Sequence, residues 1–140
     1  MIEEIKAICT KVNPDYAVDY EESHMMNLKA DQKTINAKFA YIEEFTGGSY
    51  QMINFRLEKA VMVQLYFCRF IPQLDSTAEA RETIRKEIEA EIVLPFIKEF
   101  KSTYNFPKNG FKFRASLPRF DANEVSIMLQ FEIIELVNFC

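Results

Sequence analysis

The sequence predicts an α+β domain: a mainly antiparallel sheet with a short N-terminal helix and one long kinked helix packed on one face. The expected order is α-β-β-β-β-α-β-β. Three observations lead there. Apolar residues recur at helical spacing over residues 2–12 and 76–104. Elsewhere they alternate, which is the period of a strand. Most alternating runs are separated by short turn-forming stretches, which favours antiparallel neighbours and a layered sheet-plus-helix core. At 140 residues the chain suits one domain, 1–140.

In the first helix Ile2, Ile5, Ile8, Cys9 and Val12 share a face, Glu3 and Glu4 suit the dipole of the first turn, and Pro14 ends it. Tyr16, Val18 and Tyr20 alternate as a strand. Residues 22–33 are polar around Met25, Met26 and Leu28 and read as a loop. Residues 34–45 alternate again, and Gly47-Gly48 reads as the tip of a hairpin to the strand 50–57. Glu58-Lys59 marks a break. The densest apolar run is 60–71. It puts Val61, Val63, Leu65 and Phe67 on one face and Met62, Tyr66, Cys68 and Phe70 on the other, as a central strand requires.

Ser76-Thr77-Ala78-Glu79 matches a capping box, with Ser76 as the cap. Ile84, Ile88, Ile92, Phe96 and Phe100 then step by four. One straight rod over 76–104 would span ~44 Å, against a radius of gyration of ~14 Å for a globule of this size. Pro95 removes the bond to the Glu91 carbonyl, so a kink is expected there. Asn105–Gly110 is a loop. Residues 111–120 form a strand that Pro118 places at an edge. The last strand, 124–136, turns Val125, Ile127, Leu129, Phe131 and Ile133 inward.

Net charge is −4, which leaves no basic footprint for nucleic acid or anionic membrane. Arg114 and Arg119 beside Phe113 and Phe120 are too few to change that. No apolar run approaches the ~20 residues of a membrane span. MIEEIKAICTK lacks the pattern of a signal peptide, so the expected location is the cytoplasm. Cys9, Cys68 and Cys140 form no CxxC or Cys/His cluster; they read as reduced, small apolar residues.

His24 is the only histidine, and neither a nucleophile nor a metal-ligand spacing surrounds it. Glu3/Glu4, Glu21/Glu22 and Glu43/Glu44 are neighbours that point apart in a strand. Glu87, Glu89 and Glu91 fan around a helix as solvated residues. Phosphate-loop motifs are absent. No catalytic residue, cofactor or metal is expected, and a non-enzymatic role follows.

The two-faced strands suggest what that role is. If both helices share one face of the sheet, Met62, Tyr66, Phe70, Met128 and Ile134 lie on the other side, as an association surface would, or are covered by a curled sheet or by the 22–33 loop. The hairpin around Phe45-Thr46-Gly47-Gly48-Ser49-Tyr50, the strand Val61–Phe70, the capped helix from Ser76 and the final strand Val125–Ile134 resemble the tail-terminator and head–tail joining proteins of long-tailed bacteriophages and prophages. The resemblance is one of pattern and covers most of the chain. It implies a homo-oligomeric ring, commonly hexameric, that caps a tail tube, meets other tail or connector proteins and resides in the virion. It implies neither catalysis nor cofactor. It also maps a subunit-contacting hairpin to Glu43–Gln51, so Phe45, Gly47, Gly48 and Tyr50 join the expected interface. A long helix carrying Pro95 exceeds the family pattern. The alternative function is a small-ligand-binding domain, possibly an enzyme, whose 13 Phe and 6 Met line an apolar pocket.

Overall fold

The computed structural model describes residues 2–21, 38–43, 47–70, 77–104, 107, 109–116 and 124–137; for 19–21, 70, 116 and 124 only the backbone is described. In chain order these form α1 (Ile2–Val12), β1 (Ala17–Glu21), β2 (Lys38–Glu43), β3 (Gly48–Ile53) and β4 (Arg56–Phe70). Then follow α2 (Ala78–Ile88), a π turn (Glu89–Val93), α3 (Leu94–Thr103), β5 (Lys112–Ser116) and β6 (Glu124–Val137). The fold is α+β. One sheet runs β1-β2-β4-β6-β5, with β3 also paired to β4. β1 and β2 are parallel, and the other pairs are antiparallel. The run 60–70 lies in the central strand β4, as its two apolar faces demand, and among the described strands the one before Pro118 lies at an edge.

The alternation of β4 sorts the core. Val63, Leu65 and Phe67 face the helices, beside Ala40 and Ile42 of β2 and Val125 to Phe131 at odd positions of β6. α1 contributes Ile5, Ile8 and Cys9 to this layer, and the long helix contributes Ile88, Ile92, Phe96 and Phe100. Both helices therefore share one face. Phe67, Phe96, Phe100, Phe111 and Phe131 pack on one another with ring centroids 5.0–6.0 Å apart, so these rings fill the core.

The hairpin differs from expectation. β2 and β3 both run antiparallel to β4 along the same side of it, so the chain does not reverse at Gly47-Gly48. It reverses at Asn54-Phe55, where Ile53 pairs with Arg56 and φ is 50° and 65°. Two central residues with positive φ make the type I′ turn that suits strand twist. Gly48 serves a different need: a Cβ there would lie 2.1 Å from the Ala60 carbonyl oxygen. The expected break at Glu58-Lys59 is absent, because both residues sit within β4 between β3 and β6. Ile42 pairs with Leu65 and Gly48 with Val61, so the β2-to-β3 stretch carries two extra residues. Two is the side-chain period, and the inside-outside alternation survives the insertion.

The long helix starts one residue later than the capping box implied. Thr77 is the cap, its Oγ1 accepting from the Ala80 N–H at 3.2 Å, while Ser76 lies outside the described residues. On the N-terminal side of Pro95 the helix widens into the π turn, where the Leu94 N–H reaches the Glu89 carbonyl. Proline has no N–H for the Glu91 carbonyl, and the Asn13 side-chain amide donates to that oxygen at 3.3 Å. The π turn also explains the step-by-four stripe. In a pure α-helix such a stripe drifts about 40° per step, roughly 160° from Ile84 to Phe100. One extra residue in a π turn takes back about 100°. The stripe therefore stays on the sheet.

The opposite face corrects a second expectation. Phe39, Tyr41, Tyr66, Cys68, Ser126 and Met128 are each less than 5% exposed within this single chain. Tyr66 and Met128 are thus core residues and not an open surface. In register Tyr41, Tyr66 and Met128 stand side by side on adjacent strands, and Phe39 packs on Tyr41 at 4.6 Å. A central strand that is apolar on both faces is buried on both faces here.

Phe96 touches three other rings and is fully buried. Phe96→Ala is expected to cost about 3–5 kcal/mol in urea denaturation.

Candidate functional site

Two features stand apart from the apolar core: a charge cluster under the π turn and a projecting wing of sheet. The cluster centres on Glu91. Arg69 Nη2 donates to both Glu91 carboxylate oxygens at 3.1 and 3.0 Å, and Arg69 Nη1 bonds Glu87. Lys38 Nζ lies 3.1 Å from Glu91 Oε2 and 5.9 Å above the Tyr16 ring. The Tyr16 hydroxyl donates to the same carboxylate at 3.2 Å. Glu87 and Glu91 are therefore paired across the helix–sheet junction and are not purely solvated residues.

The electrostatics follow from that geometry. Burial alone would raise the Glu91 carboxyl, but the bond from Lys38 and the charges of Arg69 and Lys38 outweigh it and hold it below its ordinary value. Burial, reinforced by the Glu91 charge, pushes the Tyr16 phenol up. Burial alone would lower the Arg69 guanidinium; the bond to Glu87 and the charge of Glu91 reverse the balance. Glu91 is thus kept ionised and Tyr16 neutral, so neither is poised to exchange protons near neutrality. The cluster ties the α1–β1 connection, β2, β4 and the long helix together. Its sequence signal was Arg69 at an inward position of an apolar strand, which needs a partner, with Glu87 and Glu91 one helical turn apart.

The wing consists of β3, the first residues of β4 and the last residues of β6. No residue of β3 or of 56–62 in β4 belongs to the core cluster under the helices. Tyr50 is 66% exposed, Met52 60%, Phe55 98%, Ile134 41% and Leu136 62%. Register places Tyr50 and Met52 on the helix side of the sheet, opposite Lys59 and Leu57. Ile134 and Leu136 lie on the other side, opposite Ala60 and Glu58. β3 carries no charged residue, and among the described residues its one neighbour is β4.

The expected interface residues divide accordingly. Gly47, Gly48, Tyr50 and Ile134 are in or beside the wing; the Gly47 carbonyl accepts from the Met62 N–H at 3.0 Å. Met62 is half-buried, whereas Tyr66 and Met128 are buried. Phe45 lies outside the described residues, as do His24, Cys140, Arg119 and the loop 22–33, and the Phe70 side chain is likewise not described. Sequence reasoning missed Met52, Phe55 and Leu136. The available signal was the alternation that continues through Glu58-Lys59, with Asn54 as the residue tolerant of positive φ.

Among the described residues no group of three or more His, Cys, Asp or Glu could hold a metal ion. Burial raises the Cys9 thiol to about 12, far from a reactive thiolate. A cavity lined by Met62, Asn109, Lys112, Gln130 and Glu132 has a volume of about 30 Å³, enough for one or two waters. No described helix is long and apolar enough to cross a membrane. The fold and its surface define an α+β sheet protein with an apolar, two-faced wing. No protein-family model matches the sequence, and no curated protein matches it.

Glu91 has a lowered folded-state value, so its stabilisation is present above the unfolded carboxyl value of about 4.3 and is lost as pH falls through the folded one. Glu91→Gln should therefore flatten the acid limb of a stability–pH profile measured by denaturant titration. Phe55 occupies the left-handed region, which costs a side chain about 1 kcal/mol. Phe55→Gly should raise stability by about that amount in the same assay, since Asn-Gly is the preferred type I′ pair.

Proposed function

We propose that the chain is a non-enzymatic structural subunit that self-assembles, and that the wing is the part it assembles through. The observation that carries this is the set of apolar side chains on both faces of the wing, capped by the almost fully exposed Phe55. Such a surface costs solubility in an isolated chain and is removed from water by association. The buried Tyr66 and Met128 take no part; the interface moves from the middle of the sheet to its projecting end.

In its finer form the proposal is a ring subunit like those of phage and prophage tail terminators, meeting other tail or connector proteins. The element order and a projecting hairpin support it, with the hairpin at 48–61 in place of Glu43–Gln51. An acidic ring would also let DNA pass without adhering.

Light scattering after size exclusion tests the coarse proposal. The native chain should elute as a multiple of 16.4 kDa. A Tyr50→Ser, Met52→Ser, Phe55→Ser variant should shift at least tenfold toward monomer. A native chain that stays monomeric at high concentration, with no ring under the electron microscope, would overturn it. Flanking capsid and tail genes test the finer form.

A further inference from the structure

The geometry points to one specific contact within that assembly: β3 of one copy pairs antiparallel with β3 of a second copy, about a two-fold axis at Gln51. This deepens the self-assembly proposal and presupposes it.

The direction of the backbone groups sets the allowed registers. The two-residue turn makes Ile53 and Arg56 a closely hydrogen-bonded pair, and the Met62 N–H bonds the Gly47 carbonyl. Pair types alternate along the ladder, so Gly47, Ser49, Gln51 and Ile53 turn their amides and carbonyls toward β4. Gly48, Tyr50 and Met52 turn theirs toward the edge that no other described strand covers. A second strand can bond only to those three. Natural edges are usually blocked by charge, proline or a bulge. This one is six residues long with neither charge nor proline, and five of the six are exposed. Two acidic chains can therefore meet here without setting like charges against each other.

The sequence of the strand favours a second copy as the occupant because it complements itself in one register. With Gln51 on the axis, Tyr50 lies opposite Met52 of the second copy, and Met52 opposite its Tyr50. Each such pair exchanges two backbone hydrogen bonds, about four in all. Tyr50 and Met52 share the helix-side face, so the aromatic–thioether pair forms twice. The same register brings the turn residue Phe55 of each copy opposite Gly47 of the other. Gly47 has no side chain, and a Cβ built there would meet nothing within 4 Å. The bulkiest exposed tip thus faces the emptiest position on the edge, in both directions. The result is one continuous sheet through two wings. A two-fold contact closes on itself. A ring built with it needs a separate head-to-tail contact, and the two together give a back-to-back double ring.

Cysteine cross-linking tests the register. Gln51 would face Gln51 of the second copy in a non-hydrogen-bonded pair, with Cα atoms about 4.5 Å apart, within disulfide range. Ser49 would lie roughly 14 Å from Ser49 of the second copy. In a Cys140→Ser background, Gln51→Cys treated with a mild oxidant should give a covalent dimer at least tenfold faster than Ser49→Cys. Cys9 and Cys68 are buried and serve as the silent background. Adding Met52→Lys, an exposed change that leaves the chain's own ladder intact, should abolish the cross-link. Association by light scattering with no preference for Gln51→Cys would overturn this contact and leave self-assembly standing. A monomer that never cross-links would overturn both.

Discussion

The architecture depends on the length of β4. Fifteen residues rise about 50 Å, and β6 pairs with β4 from Leu57 to Phe70. The apolar layer under the helices uses only the part from Val63 onward and its neighbours. The first residues of β4, 56–59, have no buried side chain and are held by ladder bonds and cross-strand pairs. A lone two-stranded hairpin is marginal in water. Here β6 supplies a third strand as far as β4 extends, so the β3–β4 hairpin stands out from the helical layer without a core of its own. The same pairing that roots the wing in the core exposes it.

The long helix meets a second constraint. Its stripe steps by four, and Pro95 removes a backbone donor in the middle of it. The π turn answers the first and Asn13 the second. The carbonyl freed by Pro95 belongs to Glu91, whose side chain anchors Arg69, Lys38 and Tyr16. Backbone irregularity and charge cluster are therefore one device. It bonds α1's connection to the helix and the helix to the sheet, on the side away from the wing. The charges balance, two cations against two carboxylates, and the partly buried Arg69 is not left unpaired, which would cost several kcal/mol.

Periodicity made most of this fold legible. The central strand, its two faces, the edge position before Pro118 and the shared helix face all follow from alternation, helical spacing and proline chemistry. The hairpin failed because Gly-Gly is ambiguous. It can mark positive φ or close approach, and Gly48 is the second case, against the Ala60 carbonyl. The true turn carries Asn54 and a bulky Phe55, a residue that left-handed geometry disfavours, so local propensity pointed away from it. The surface was half legible. Alternation identified apolar residues on both faces but cannot say where along a strand the cover ends. Tyr66 and Ile134 both lie on the face away from the helices and look alike in sequence, yet one is buried and the other exposed.

That misleading turn has a physical meaning. For the isolated fold, glycine at 55 and lysine on β3 would be the better choices: the first removes strain, the second blocks an adhesive edge. The chain has a strained, exposed ring at the tip and an uncharged edge beside it. Strain and exposure of this kind lower the stability of the monomer without improving any contact inside it. In the assembly proposed above, covering the ring and bonding the edge would offset that cost. The strained Phe55 and the uncharged edge of β3 both fall in the wing, away from the core around Phe96.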